Sequence, residues 1–197
     1  MNEVNWQARY ENADTPWDKG EPHPMIARWT QDREVEGDIL VPGCGRGWDL
    51  QAWGVAYPQH AVIGIDLAPS AVSSARRLCQ DLSNVTVHEA DFFSLESWYE
   101  GNRVGLIWEH TCFCAIPPPL REVYAKTVAA LLPSGGRLIG AFFTDITDRA
   151  SGPPWNTTMS DIECLFSPWF VIEQPVAEHR TFAGREGEER SLIMHRR

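Results

Sequence analysis

Short apolar runs alternate along this chain with longer stretches of helical period. Asp38-Ile-Leu-Val-Pro42, Ala61-Val-Ile-Gly-Ile-Asp66, Asn84-Val-Thr-Val-His-Glu89, Val104-Gly-Leu-Ile-Trp108 and Arg137 to Phe143 each read as a buried strand. Between them the period changes to that of a helix. Leu50, Trp53 and Tyr57 share helical spacing after a glycine turn. Pro69 suits a first helical turn, and Val72, Ala75, Cys79 and Leu82 then fall on one face. From Pro117 to Leu132 the stripe is Leu120, Val123, Tyr124, Val128 and Leu131, ended by Pro133-Ser-Gly-Gly136. Residues 4–14 and 23–32 read as short helices around a Pro/Gly turn. Met159 to Phe166 reads as a further helix, followed by strands near 170–172 and 191–195.

Strands alternating with helices predict an α/β chain: a seven-stranded, mostly parallel Rossmann-like sheet with helices on both faces. The last two strands have only a loop between them, which predicts an antiparallel pair at the edge. Repeats and low-complexity linkers are absent, so residues 1–197 read as a single domain.

Composition narrows the function. The chain is 43% hydrophobic and 22% charged, enough apolar material for a real core. A formal charge of −10 without a dense Lys/Arg cluster argues against a nucleic-acid partner, which demands a basic stripe. No apolar run approaches the ~18 residues of a membrane span, and Met1 to Gly20 is polar and acidic, unlike a signal segment. Cys44, Cys79, Cys112, Cys114 and Cys164 show no metal-ligand spacing and read as free thiols of a reducing compartment, so the expected location is cytoplasmic, with no bound metal.

Three features carry candidate chemistry. Gly43-x-Gly45-x-Gly47 follows a strand and opens a helix, as a loop does that lets a ligand approach the backbone. It is neither G-x-G-x-x-G nor a Walker loop, which disfavours a nicotinamide enzyme and a nucleotide triphosphatase. Asp66 ends the second strand, 21 residues after Gly45, where a carboxylate accepts from both hydroxyls of an adenosine ribose; it also suits a cap for the next helix, and the two roles are compatible. Asp91-Phe92 follows the third strand and fits either an adenine contact or a solvated turn with a core Phe.

Together these resemble the adenosine site of class I S-adenosylmethionine-dependent methyltransferases, and within them the thiopurine methyltransferase superfamily, nearest its plant-type thiol, thiocyanate and halide members. The resemblance lies in Thr15-Pro-Trp-Asp-Lys-Gly20, Leu40-Val-Pro-Gly-Cys-Gly-Arg-Gly-Trp-Asp49, Val62-Ile-Gly-Ile-Asp66, Asp91-Phe-Phe93, Thr111-Cys-Phe-Cys-Ala-Ile116 and Gly152-Pro-Pro-Trp155, which keep the family order. It implies an N-terminal helical lid over residues 1–35 carrying Trp6, Tyr10 and Trp17, with Gly43, Gly45, Asp66, Asp91, Phe92 and His110 around the cofactor. Tyr10 stands where relatives usually have Trp, His110 where they have Tyr or Arg, and Glu109 where they have Asp.

The implied reaction moves the methyl group of S-adenosyl-L-methionine to a small nucleophile, with S-adenosyl-L-homocysteine as product. A small thiol is the leading acceptor, with halide, thiocyanate and thiopurine as variants. A non-catalytic sensor of the same cofactor is the alternative from another class. An aromatic lid suits a sulfonium cation, and a thiolate or halide needs little help from a base. If a base acts, His110 or Asp148 is the candidate, an imidazole being the side chain that titrates nearest neutrality. Cys112 and Cys114 read as packing rather than nucleophiles, and Arg121 as a surface ion pair or a substrate-carboxylate contact. A monomer is expected.

Overall fold

The computed structural model describes residues 4–31, 34–94, 103–144, 146, 152–173 and 180–197. Its strands are β1 (Asp38–Pro42), β2 (Val62–Asp66), β3 (Val85–Glu89), β4 (Val104–His110), β5 (Arg137–Phe143), β6 (Phe170–Ile172) and β7 (Glu189–Arg196), joined in one sheet of order β3-β2-β1-β4-β5-β7-β6. The pairs β2–β3, β1–β2, β1–β4 and β4–β5 are parallel, whereas β5–β7 and β6–β7 are antiparallel. The helices are α1 (Trp6–Glu11), α2 (Pro24–Trp29), α3 (Trp48–Ala56), α4 (Pro69–Leu78), α5 (Arg121–Leu131) and α6 (Met159–Phe166).

Successive strand residues point to opposite sides, so the sheet makes two cores. Ile39, Val41, Leu106, Trp108, Ile139 and Ile193 face α2, α3 and α4, packing on Met25, Trp29, Leu50, Trp53 and Val72. Leu40, Ile107, Leu138 and Phe142 face the other way, against Tyr124 and Val128 of α5 and Ile162 and Phe166 of α6. Both faces are thus covered, as the expected fold requires.

Helix ends depart from the apolar periodicity where local chemistry intervenes. The helix expected from Pro117 begins at Arg121, because Pro118 and Pro119 lack amide hydrogens and settle into a 3-10 turn over Pro118–Leu120. α4 stops at Leu78 rather than near Leu82, although Cys79 is still buried on its face. α1 and α2 are shorter than the 4–14 and 23–32 stretches. In contrast, β4 runs two residues further than the apolar run, to His110, and carries Glu109 and His110 to its tip.

Candidate functional site

The C-terminal ends of the parallel strands open onto a cavity of about 380 Å³. Crevices at strand tips are where open α/β sheets hold ligands. Asp66, Asp91 and Phe92 border it over β2 and β3, Gly43 and Thr111 over β1 and β4, and Phe143 and Arg185 over β5 and the chain entering β7. A second, smaller pocket of about 60 Å³ is bordered by Gly45, Asp49 and His110.

Two glycines of the turn do different work. Gly45 has φ +55, and a Cβ there would stand 3.2 Å from the Tyr10 hydroxyl. Gly47, at φ +92, is forced by helix packing, since its Cβ would come within 2.9 Å of Ala75 in α4. The Asp66 carboxylate accepts from the amides of Gly45 and Ala68, both at 2.9 Å, tying the glycine turn to the start of α4. Burial raises the Asp66 pKa, partly offset by these amide hydrogen bonds. Asp91 is exposed and accepts from the Phe93 amide at 2.9 Å, while Phe92 packs into the core against Phe93 and Tyr124.

The N-terminal segment forms an aromatic wall. Trp6 and Tyr10 meet Trp17 edge-on, with centroids at 5.6 and 5.9 Å. The side-chain amide of Gln7 fastens α1 to Ser70 at the head of α4. The Arg9 guanidinium lies 4.4 Å from the Trp17 ring centroid and 5.8 Å from that of Trp6, so these faces already hold a cation.

At the tip of β4 the backbone bends sharply, with Thr111 at φ +59. Glu109 fixes the bend. Its Oε1 accepts from the amides of Cys112 and Phe113, and its Oε2 from the Tyr124 hydroxyl at 2.6 Å. Burial raises the Glu109 pKa against these bonds. Cys112 and Cys114 border the cavity, but burial holds Cys112 well above the usual thiol range and pushes Cys114 up to about 12. Both are protonated thiols, poor nucleophiles at neutral pH. Arg121 is neither a surface ion pair nor a cavity residue. It donates to the carbonyls of Ile116, Trp155 and Asn156 and straps that loop to α5.

A polar cluster, not foreseen from the sequence, closes the far end. Asp49, in the first turn of α3, accepts from the His23 amide at 2.7 Å, Trp108 Nε1 at 2.8 Å and His110 Nδ1 at 2.7 Å. Burial alone would raise its pKa, but the neighbouring His110 and these hydrogen bonds outweigh it and lower it. A carboxylate accepts and a guanidinium donates, so the neutral form of His110 that fits this geometry has its hydrogen on Nδ1 and its Nε2 lone pair towards Arg185 Nη1, 3.4 Å away. Arg185 Nη1 also donates to Glu189 Oε1 at 2.8 Å. Glu189 further accepts from Thr181 and from His23 Nε2. Burial works against its ionisation, but hydrogen bonds from His23 and Thr181 and the charge of Arg185 hold its pKa down at about 2.

His23, His110 and Glu189 bring ligand atoms within 4.8 Å of one another, the composition of a metal site. Here the Arg185 guanidinium supplies the positive charge among them. The sequence signals for this cluster are Asp49, the last residue of the glycine-turn motif, and His110, singled out by the family resemblance; His23, Arg185 and Glu189 carry none. Asp148 lies outside the described residues. Among the described residues, no helix is long and apolar enough to cross a membrane.

Comparison with known proteins places these features in context. The sequence model of the thiopurine S-methyltransferase family matches residues 1–192. The chain is 35% identical to the Arabidopsis thaliana protein named "Probable thiol methyltransferase 2", over 94% of this chain and 81% of that one. It is 31% identical to thiocyanate methyltransferase 1 of Brassica oleracea, over 96% and 84%. Among solved structures, its fold resembles the 1,6-didemethyltoxoflavin-N1-methyltransferase of Burkholderia thailandensis, determined with bound 1,6-didemethyltoxoflavin and S-adenosylhomocysteine. That likeness has a TM-score of 0.72 at 19% identity, covering 96% of this chain and 84% of that one.

Proposed function

This chain belongs to the thiopurine S-methyltransferase family, and from that premise we propose that it transfers a methyl group from S-adenosylmethionine to the sulfur of a small thiol. The supporting observation is the cavity itself, with a half-buried ribose-type carboxylate at one end and cation-holding aromatic rings along its side. These residues fit the donor. Asp66 would take the ribose hydroxyls with the lone pairs its amide contacts leave free. Asp91 and Phe92 would border the adenine, and Gly43 and Gly45 the methionine half. Trp6, Tyr10 and Trp17 would wall the sulfonium side, where a ring contributes ~0.5–2 kcal/mol once the arginine over it, Arg9 on Trp6 and Trp17 and Arg46 on Tyr10, gives way.

When bound, the donor supplies an electrophilic methyl carbon: the acceptor's lone pair forms the new bond as the carbon–sulfonium bond breaks, leaving a neutral thioether. The protein's part is alignment and exclusion of water. The Glu109 strut shapes the Thr111 bend between donor and acceptor. His110 has its lone pair turned to Arg185 and so acts as a prop rather than a base. An acceptor that arrives as an anion needs no proton removed.

Similarity to a thiocyanate methyltransferase favours thiocyanate and halide as second acceptors, and the family name favours thiopurines. On this reading residues 1–197 form one domain with residues 1–35 as its lid, acting as a cytoplasmic monomer; light scattering that found a stable dimer would remove the monomer. The function is tested by incubating the protein with methyl-labelled donor and a panel of hydrosulfide, alkyl thiols, thiocyanate, iodide and a thiopurine. Labelled thioether from a thiol is expected. Donor uptake with no labelled product from any acceptor would leave a sensor in place of an enzyme.

A further inference from the structure

Arg185 is poorly explained as a structural residue. Its side chain is 9% exposed and forms an ion pair with a fully buried Glu189. Burying such a pair is costly, and well-packed apolar residues commonly serve a fold as well or better. Yet much is arranged around this one guanidinium. Glu189 is itself gripped by His23 and Thr181. His110, oriented by Asp49, abuts Nη1. The rings of Phe143 and Phe182 lie 5.5 and 5.6 Å from its centre. The result is a fixed cation on a cavity wall.

Its donors are not all used. A guanidinium has five N–H groups. Those on Nη1 point to Glu189 and His110, and one on Nη2 reaches the Trp17 carbonyl at 3.4 Å. The Nε–H and one of the two Nη2–H groups have no protein partner among the described residues. In the strand order, Arg185 stands beside β5, three strands from Asp66 on β2, or about 14 Å at ordinary strand spacing. That places it beyond the donor's adenosine, where an acceptor must approach.

We propose that Arg185 determines acceptor specificity, its unpartnered Nε and Nη2 donors receiving a small soft anion (thiolate, thiocyanate or halide) in preference to uncharged acceptors. The inference rests on the methyl-transfer reading and adds the residue that holds the nucleophile. No proton moves at Arg185: the acceptor arrives ionised and leaves methylated.

The test compares wild type, Arg185→Gln and Arg185→Lys by steady-state transfer to thiocyanate and iodide, and by calorimetric titration with S-adenosylhomocysteine. Arg185→Gln should raise KM for both anions about tenfold or more, with product affinity within about threefold. Arg185→Lys keeps the charge without the fork and should recover part of the loss. If Arg185→Gln fails to fold, a KM raised about threefold or more in Arg185→Lys carries the same support. Unchanged KM in the variant that folds, or a loss of product affinity equal to the loss of turnover, overturns the assignment. Wild type that binds product but methylates neither anion overturns it too and leaves the donor reading intact. Wild type that binds no product defeats the methyl-transfer reading itself.

Discussion

The two ends of the cavity are built by different rules. Over β2 and β3, functional groups sit at strand tips and in the turns that follow them, so Asp66, Asp91 and the glycine turn occur at spacings fixed by β-α-β geometry. Over β4, β5 and β7, the working groups are His23, Asp49, His110, Arg185 and Glu189, gathered from four separate stretches. The first arrangement is local and repeats wherever such a sheet binds an adenosine. The second is assembled by tertiary packing and is where, on the proposed reading, an acceptor would be chosen. Donor recognition can thus stay constant while the other end varies.

Mutation can break this comparison at several points. The largest effect is expected at the strut between the ends. Glu109→Ala leaves two amides and the Tyr124 hydroxyl without their buried acceptor, so urea unfolding should show a loss of about 3 kcal/mol. A loss below about 1 kcal/mol would mean that solvent reaches these groups. Next, Asp66→Ala should weaken S-adenosylhomocysteine binding about 100-fold by calorimetry, as expected for two ribose contacts to a carboxylate. Because the Gly45 and Ala68 amides bond to different oxygens of Asp66, urea unfolding of the same variant is needed to separate that loss from damage to the turn.

Trp17→Ala distinguishes charge from shape. It should lower affinity for the sulfonium donor about three- to tenfold and for the neutral thioether product by less. Equal losses would make the aromatic wall a hydrophobic cover and nothing more. The smallest effect is a slope. The folded-state pKa of Glu189, about 2 against an ordinary 4.5, makes it a source of stability present above pH 4.5 and lost as pH falls towards 2. Asp66 is raised instead, so its burial costs stability at neutral pH and acid relieves that cost. Thermal melts of Glu189→Gln should therefore fall less steeply than wild type between pH 4.5 and 2. Parallel curves would show that the Arg185–Glu189 pair does not couple to folding.

The same contrast explains what the sequence disclosed. β1, β2, β4 and β5 were readable as continuous apolar runs between turn residues, and the antiparallel edge followed from a sequence before β7 that carries no helical period. The Pro118-Pro119 start of α5 was misjudged because apolar period says nothing of missing amide donors. Asp66 and Gly45 were legible through their spacing. Arg185 and Glu189 were not, since an i, i+4 charge pair in a polar stretch ordinarily marks a solvated surface. Only the fold buries it beside His110. Arg121 misled in the same way, its partners being carbonyls that no pattern announces.

A crystal structure of the protein with S-adenosylhomocysteine tests the account most directly. It should show the ribose on Asp66, the adenine beside Asp91 and the thioether sulfur turned towards the β4–β5 end, facing Arg185. Adenosine lodged against Arg185 and Glu189, or a cavity that excludes the ligand, would contradict it.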